Sequence, residues 1–255
     1  MRTAALITAA GAGTRLGANQ PKALVALAGR PLVAYAAAAF VRAGITDLVV
    51  SAPAGYEASM RAALAPRVLT QAAHHAWPRA GADAGLPVYS VRVITGGAQR
   101  QDSVFAGLRA MGDDPPTAVF VHDAARALTP PSLIASLWAA LANHRAVIPA
   151  LAMTDTLKTV AHPPVGSEPV SVGDTVDRAT TIAVQTPQAC DYQLLLRAHR
   201  HAERLARRAT DDASLIAALG EPVVAIAGSE QAFKITTPPD LARASALLAH
   251  GGLCS

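Results

Sequence analysis

Cysteine, aromatic residues and long apolar runs are all scarce in this 255-residue chain. Its two cysteines, Cys190 and Cys254, exclude a disulfide framework and a cysteine-rich metal site. Aromatic residues make up 4% of the chain, too few for a base-stacking platform, so we expect no nucleic-acid partner. The longest apolar run, residues 32–41, is too short to span a bilayer, and no secretion signal is recognisable. We therefore expect a cytoplasmic protein that does not bind membranes.

Lysine is also rare, since only three of the 22 basic residues are lysines, namely Lys22, Lys158 and Lys234. The positions at which this arginine-rich chain keeps a lysine are therefore the first to locate. The formal net charge of +4 is a mild excess. The densest basic cluster, residues 199–208, is predicted to be a solvated helix face on which His199 and His201 are exposed.

Strands alternate with helices of ten or more residues, and several strands are continuous runs of valine, isoleucine and leucine. This pattern predicts an α/β fold, with a Rossmann-like, mostly parallel, twisted sheet and helices on both faces. Strands are predicted at 3–8, 47–52, 88–94, 117–122, 146–151 and 223–227. Helices are predicted at 32–44, 57–64, 100–111, 131–144 and 192–208, from 211 and from 239, and a surface loop at 70–87. We expect one domain over residues 1–250 and a tail at 251–255.

Residues 152–184 break this alternation. Two extended segments flank a turn at Pro163-Pro164, which predicts a protruding β-hairpin arm. Because an exposed two-stranded hairpin is marginally stable alone, we expect the arm to pack on a second subunit of a homodimer.

The segment after the first strand, residues 9–17, is rich in glycine and is followed by Lys22. Such turns form anion-binding nests of backbone N–H groups. Arg15 and Lys22 in the same loop favour a site at which a polyphosphate reacts. A non-catalytic binding subunit, which only holds its ligand, has no need of both cations. No Walker motif occurs, the glycine spacing is one residue too long for a dinucleotide fingerprint, and the acid expected after the second strand is missing. A nicotinamide dehydrogenase is therefore disfavoured.

Two more segments follow strands directly, and the ends of parallel strands converge on one cleft. Asp123 at the end of one strand suits a ligand of Mg²⁺, with a helix-capping role as the alternative, and Arg126 is placed to bind a second anionic group. Residues 96–103 predict either free N–H groups that contact a base or ribose, or a plain helix-initiating turn. Lys234 lies in an apolar context that indicates an anionic partner, or simply a buried ion pair.

These motifs together resemble the 2-C-methyl-D-erythritol 4-phosphate cytidylyltransferase family. The first loop alone indicates only the wider nucleotidyltransferase superfamily. The family is indicated by residues 9–17, 21–22, 96–104, 119–126, 155–156, 175–178, 185–188 and 233–237. The resemblance implies transfer of CMP from CTP to methylerythritol phosphate with Mg²⁺, in a homodimer whose arm reaches the partner's site.

The resemblance also implies a role for each matching position. Arg15 and Lys22 match the groups that stabilise the transition state, and Asp123 matches the acid associated with Mg²⁺. The positions that match nucleotide-binding groups are Ala9, Ala10, Gly11, Gly13, Gly97, Ala98, Ser103 and Ala124. The positions that match acceptor-binding groups are Arg126, Thr156, Arg178, Thr210 and Lys234, of which Arg178 and Lys234 also position the attacking phosphate.

Three departures from the family pattern leave every charged catalytic position in place. Ala98 stands where an acidic residue is common, Ala127 replaces a frequent proline, and Ala232-Phe233 replaces an Asn-Ile pair. The rival interpretation is another nucleotidyltransferase of the same fold, such as a ribitol-5-phosphate cytidylyltransferase or a sugar-1-phosphate nucleotidylyltransferase.

Overall fold

The structure is a computed structural model that describes residues 2–11, 16, 19–78, 85–162 and 168–249. Its strands are β1 (Thr3–Thr8), β2 (Ala26–Leu27), β3 (Arg30–Pro31), β4 (Asp47–Ala52), β5 (Ser90–Thr95), β6 (Ala118–Asp123), β7 (Ala146–Ala152), β8 (Leu157–Val160), β9 (Val172–Val176), β10 (Ile182–Val184), β11 (Gln188–Asp191) and β12 (Val224–Ala227). Its α-helices are α1 (Leu32–Arg42), α2 (Glu57–Ala63), α3 (Pro66–Ala76), α4 (Arg100–Ala110), α5 (Pro131–Ala140), α6 (Tyr192–Arg204), α7 (Asp212–Ala217) and α8 (Pro238–Ala249).

An eight-stranded mixed sheet forms the centre of the fold, in the order β10-β7-β11-β6-β1-β4-β5, with β12 paired to β7. The pairs β6-β1, β1-β4, β4-β5 and β7-β12 are parallel, whereas β11 runs antiparallel to β6 and β7 and β10 runs antiparallel to β7. The predicted α/β class with a mostly parallel sheet is therefore confirmed. The antiparallel strands β10 and β11 were missed, since residues 182–191 carry no alternation or long aliphatic run.

Strand β1 shows how the sheet is covered on both sides. Its Ala5 and Ile7 belong to a core that includes residues of α1, α3 and α5. Its Ala4 and Leu6, which point the other way because strand side chains alternate, belong to a core with residues of α4, α6 and α7. Helix α4 approaches so closely that a Cβ at Gly107 would lie 2.2 Å from a methyl carbon of Leu6. Helices on both faces, as predicted, follow from this two-sided burial.

The predicted surface loop at 70–87 is wrong over its first part. Helix α3 begins at Pro66, which suits a first helical position, and ends at Ala76. Its residues Leu69, Ala72, Ala73 and Ala76 are buried, and Trp77 follows them into the core. Their spacing of three, four and seven residues is that of an amphipathic helix face. The signal was in the sequence, but it is carried mostly by alanines, and residues 79–84 lie outside the described residues.

The predicted hairpin is present as a separate two-stranded sheet of β8 and β9. Val160 lies opposite Val172, and both side chains are exposed. Lys158 is exposed as well and contacts the hydroxyl of Thr175 at 2.6 Å. The predicted turn at Pro163-Pro164 and the predicted tail at 251–255 lie outside the described residues. Within the described part of the chain, no helix is both long and apolar enough to cross a membrane.

Candidate functional site

A cavity of about 310 Å³ lies at the carboxyl ends of β1, β5 and β6, where an open parallel sheet is expected to bind ligands. Ten of the sequence-predicted residues line it: Ala9, Ala10, Gly11, Lys22, Gly97, Ala98, Ser103, Asp123, Ala124 and Lys234. Gly13 and Arg15, which the sequence also assigns here, lie outside the described residues. The predicted convergence of three separate segments on one cleft is therefore observed for the residues that can be placed.

The first and second glycine segments lie close together beside the cavity, and neither Gly96 nor Gly97 has room for a side chain. A Cβ at Gly96 would lie 2.8 Å from the Cβ of Ala10, and a Cβ at Gly97 would lie 2.3 Å from that of Asp102. Any side chain at these two positions therefore requires the surrounding backbone to shift. Ser103 is buried and its hydroxyl accepts a hydrogen bond from the Gly97 backbone N–H at 3.1 Å, which fixes the turn.

Lys22 reaches the cavity from the far side of the first loop. It begins a single 3₁₀ turn, Lys22–Leu24, and its backbone N–H donates to the carbonyl of Gly11 at 3.2 Å. This bond closes the ends of the loop on each other, so the lysine lines the same cavity as the glycine segment. Of the chain's three lysines, two line the cavity and Lys158 lies on the arm.

The carboxylate of Asp123 is held by two cations. Its Oδ1 accepts from Nε of Arg100 at 2.9 Å, and its Oδ2 accepts from Nζ of Lys234 at 2.7 Å. The hydroxyl of Thr8 also donates to Oδ1, at 3.2 Å. Burial raises the pKa of Asp123, but the charges of Arg100 and Lys234 and their hydrogen bonds outweigh burial and hold the pKa well below its usual range. Asp123 is thus a charged group of the cavity wall, and it does not cap a helix.

A second carboxylate lies behind the first and was not assigned from the sequence. Nη2 of Arg100 forms an ion pair with Oδ2 of Asp212 at 2.8 Å. Oδ1 of Asp212 in turn accepts from Nε2 of His199 at 3.0 Å. The prediction that His199 is exposed is therefore wrong, since its side chain is buried and stacks on Phe105. It lies on the buried face of α6, three and four residues after Leu196 and Leu195, so the helical spacing held the signal.

His122, next to Asp123, is fully buried and is not among the residues that line the cavity. Its Nδ1 contacts the hydroxyl of Thr186 at 3.1 Å, and its ring packs edge-on against Phe40. Burial lowers the pKa of His122 to about 3, so the imidazole is neutral at physiological pH. It therefore supports the strand end by packing.

Four predicted acceptor-binding residues do not line the cavity. Arg126 is tied to the backbone, donating to the carbonyls of Ala232 at 2.7 Å and Val184 at 3.3 Å. Thr156 and Arg178 are exposed at the base of the arm, where Arg178 donates to the carbonyl of Thr154. Thr210 is exposed in the turn before α7.

The chain is similar to known proteins over nearly its whole length. Residues 3–250 match the family model for 2-C-methyl-D-erythritol 4-phosphate cytidylyltransferase. Proteins of that name from Nocardia farcinica and Deinococcus radiodurans are 44% and 41% identical over 246 and 249 residues, which cover 96% and 98% of this chain and 93% and 90% of theirs. The crystal structure of 2-C-methyl-D-erythritol 4-phosphate cytidylyltransferase from Thermus thermophilus is similar, with a TM-score of 0.72 and 33% identity, covering 98% of this chain and all of that one.

Proposed function

Because the chain belongs to the 2-C-methyl-D-erythritol 4-phosphate cytidylyltransferase family, we propose that it transfers CMP from CTP to 2-C-methyl-D-erythritol 4-phosphate. A phosphate oxygen of the acceptor attacks the α-phosphorus of CTP, the bond from that phosphorus to the oxygen bridging to the β-phosphate breaks, and pyrophosphate leaves. The observation that carries the proposal is the single cavity that brings a glycine turn, Lys22, Asp123 and Lys234 together. Positioning and charge neutralisation are what such a reaction requires.

The nucleotide is assigned to the two glycine segments. Backbone groups of Ala9, Ala10 and Gly11 can approach the triphosphate, since these three residues have only small side chains. Gly97, Ala98, Ser103 and Ala124 form the adjoining wall, which we assign to the base and ribose. With alanine at 98, contacts to the base edge on this side come from the backbone. Gly13 and Arg15 keep their proposed roles at the triphosphate from the sequence alone.

Lys22 is proposed to stabilise charge on the α-phosphate and on the departing pyrophosphate. No general base is required, because the acceptor's phosphate is already an anion at neutral pH. The depressed pKa and deep burial of His122, the histidine nearest in sequence to the cavity wall, agree with a reaction that takes no proton from the nucleophile.

The family generally uses a divalent metal, and we propose that Asp123 binds it here as Mg²⁺. Mg²⁺ is commonly held by one or two carboxylates together with substrate phosphates. Asp123 is ionised, and it is the one acidic residue among the described residues that line the cavity, so the donor set fits. Within the described ranges no group of three or more His, Cys, Asp or Glu side chains is arranged to hold a metal ion without substrate. An ion bound at Asp123 would neutralise phosphate charge. Because Nζ of Lys234 donates to Oδ2 of Asp123, Lys234 has to leave this oxygen before the ion can bind there and before the lysine can contact the acceptor.

The acceptor is assigned to Lys234 and Arg126 on the body and to Thr156 and Arg178 on the arm, with Thr210 near α7. In a single chain the two arm residues lie outside the cavity. We therefore propose a homodimer in which the arm of one chain reaches the cavity of the other. The exposed valines Val160 and Val172 supply apolar surface on the arm for such a contact.

We also propose that the protein acts in the cytoplasm, that residues 1–250 form one catalytic domain with an arm at about 152–184, and that residues 251–255 are a tail. The experiment that tests the function measures pyrophosphate release from CTP, Mg²⁺ and 2-C-methyl-D-erythritol 4-phosphate. It is repeated with ribitol 5-phosphate as acceptor and with UTP or ATP as donor. Release only with CTP and methylerythritol phosphate supports the proposal. Release with ribitol phosphate alone keeps the mechanism and changes the acceptor, and silence with every pair from folded protein refutes catalysis.

A further inference from the structure

A chain of charged and polar contacts runs from the cavity into the core between α4, α6 and α7. It links Lys234 to Asp123 at 2.7 Å, Asp123 to Arg100 at 2.9 Å, Arg100 to Asp212 at 2.8 Å and Asp212 to His199 at 3.0 Å. The side chain of Lys234 is 44% exposed, Arg100 23% and Asp123 11%, whereas Asp212 and His199 are each 1% exposed. The first members face the cavity, and the last two are sealed beneath it.

Burial of the Asp212 carboxylate has a high desolvation free energy. A carboxylate without solvent destabilises the fold unless ion pairs and hydrogen bonds offset its desolvation. Burial raises the pKa of Asp212, but Arg100 and the hydrogen bond from His199 outweigh burial and keep the group ionised. Its backbone is fixed as well, because the N–H groups of Asp212 and Ala213 both donate to Oε1 of Gln188, at 3.0 and 2.9 Å. The fold therefore holds a charge at one point facing Arg100.

The geometry of Arg100 shows what this charge does. The guanidinium edge formed by Nε and Nη2 can bind both oxygens of one carboxylate at once. Here the edge is divided, with Nε on Oδ1 of Asp123 and Nη2 on Oδ2 of Asp212. As a result Asp123 gives one oxygen to Arg100, and its Oδ2 is left to Lys234 on the cavity side.

We propose that Asp212 is a positioning residue which, by holding Nη2 of Arg100, keeps Oδ2 of Asp123 available to a divalent cation in the cavity. The inference rests on the proposed function in one respect, the assignment of the cation to Asp123. Without the charge at 212, Nη2 turns to Oδ2 of Asp123, and Arg100 then occupies both oxygens. The positive charge of Arg100 is then no longer shared with a second carboxylate, so a cation at Oδ2 is repelled.

The test is Asp212→Asn, which keeps the shape and an oxygen for His199 but removes the charge. Calorimetry measures CTP binding at a series of Mg²⁺ concentrations, and the readout is the Mg²⁺ concentration that gives half-maximal binding. We expect this value to rise about 10- to 100-fold, as is usual when a residue that orients a metal ligand is lost. The association of Mg²⁺ with CTP in solution is the same for every variant, so differences report on the protein.

Asp191→Asn is the matched control. It removes another carboxylate, which caps α6 by accepting from the backbone N–H of Leu194 at 2.7 Å, and asparagine caps helices equally well. The half-maximal Mg²⁺ concentration of this variant should stay within about twofold of wild type, since the carboxylate that pairs with Arg100 is that of Asp212. A shift equal to that of Asp212→Asn indicates a general loss of negative charge and overturns the inference.

Arg100→Lys is the second variant, and it decides the matter if Asp212→Asn does not fold. Lysine keeps the charge but is a point donor that lacks the planar fork. Its single nitrogen cannot replace both Nε on Asp123 and Nη2 on Asp212, so Asp123 is no longer held with Oδ2 toward the cavity, and we expect the same rise in the half-maximal Mg²⁺ concentration. A folded Asp212→Asn or Arg100→Lys protein with the wild-type Mg²⁺ dependence, even at a lower melting temperature, overturns the inference alone. Wild-type CTP binding that does not depend on Mg²⁺ instead overturns the proposed metal role, and the inference with it.

Discussion

The residues assigned to the reaction fall into two regions that differ in how completely one chain builds them. On the sheet body, Lys22, Asp123 and Lys234 meet in one cavity, and Asp123 is bonded on both oxygens. On the arm, Thr156 and Arg178 are exposed and do not line that cavity. The loop after β1, the end of β6 and the segment before α8 bring the first group together within a single chain, whereas the second group lies apart from it. The comparison predicts that the body binds nucleotide by itself and that turnover needs a second chain.

The largest expected effect comes from Lys22→Ala on the body. Removing a group that stabilises transition-state charge typically lowers kcat by about 100- to 1,000-fold. We expect a loss of that size in pyrophosphate release with the melting temperature unchanged, because Lys22 lines the cavity and does not belong to the hydrophobic core. Gln20→Ala is the control, since this exposed neighbour donates weakly to the carbonyl of Leu24 at 3.4 Å and does not line the cavity. Near-wild-type turnover of Lys22→Ala contradicts the role of the first loop.

Arg178→Ala on the arm should have the next largest effect. A charged hydrogen bond to a phosphate contributes about 1.5–3 kcal/mol, so we expect kcat/KM for the acceptor to fall about 10- to 100-fold. CTP binding by calorimetry should be unchanged, since Arg178 is assigned to the acceptor and the nucleotide cavity is lined by residues of the body. Lys158→Ala removes another cation from the same arm and should leave both quantities as they are. Weakened CTP binding by Arg178→Ala erases the distinction between the two regions.

Val172→Asp tests whether the arm is covered by a partner. If Val172 is buried between chains, an aspartate there is desolvated without a partner and separates them. We expect sedimentation to change from dimer to monomer, with turnover falling to the level of Arg178→Ala. Val88→Asp, at another exposed valine outside the arm, should sediment like wild type. If the Val172→Asp protein sediments like wild type, the arm does not mediate a dimer.

The smallest effect is expected at Asp240, which supports the segment carrying Lys234. Its Oδ2 accepts from the backbone N–H and hydroxyl groups of Thr236 and Thr237, all at 2.8 Å. Partial burial raises the pKa of Asp240, but these hydrogen bonds outweigh it and lower the pKa to about 2. Asp240→Ala should reduce the free energy of unfolding by about 1 kcal/mol, as loss of a helix cap does.

The difference in the free energy of unfolding between wild type and Asp240→Ala depends on pH in a definite direction. Because the folded pKa of Asp240 lies below the unfolded value of about 3.9, its stabilisation is complete above that pH and is lost as the pH falls toward 2. Urea unfolding of wild type and Asp240→Ala at neutral pH and again near the folded pKa measures it. A difference between the two proteins that grows on acidification is the opposite of what we expect.

The sequence predicted most of the body because strong local patterns specify it. Strands β1 and β4 have the predicted bounds, and the two glycine segments and Asp123 lie at the ends of β1, β5 and β6, so the rule for parallel sheets places them. Helix α3 was missed since alanine carries little hydrophobic contrast. The contact of Arg100 with Asp212 was not predicted, because residues so far apart in the chain meet only through the packing of α4 against α6 and α7. The position of the arm relative to the cavity of a partner likewise depends on how two chains pack, and the sequence of one chain does not specify that geometry.

The most direct test of a site shared between two chains is complementation between Lys22→Ala and Arg178→Ala. The two proteins are co-expressed with different affinity tags, and the hybrid dimer is purified on both and assayed for pyrophosphate release. If the arm serves the partner's cavity, one site of the hybrid carries both defects and the other carries none, so activity returns to about half of the wild-type value. If each arm serves its own chain, both sites stay defective, and a hybrid no more active than its parents contradicts the account.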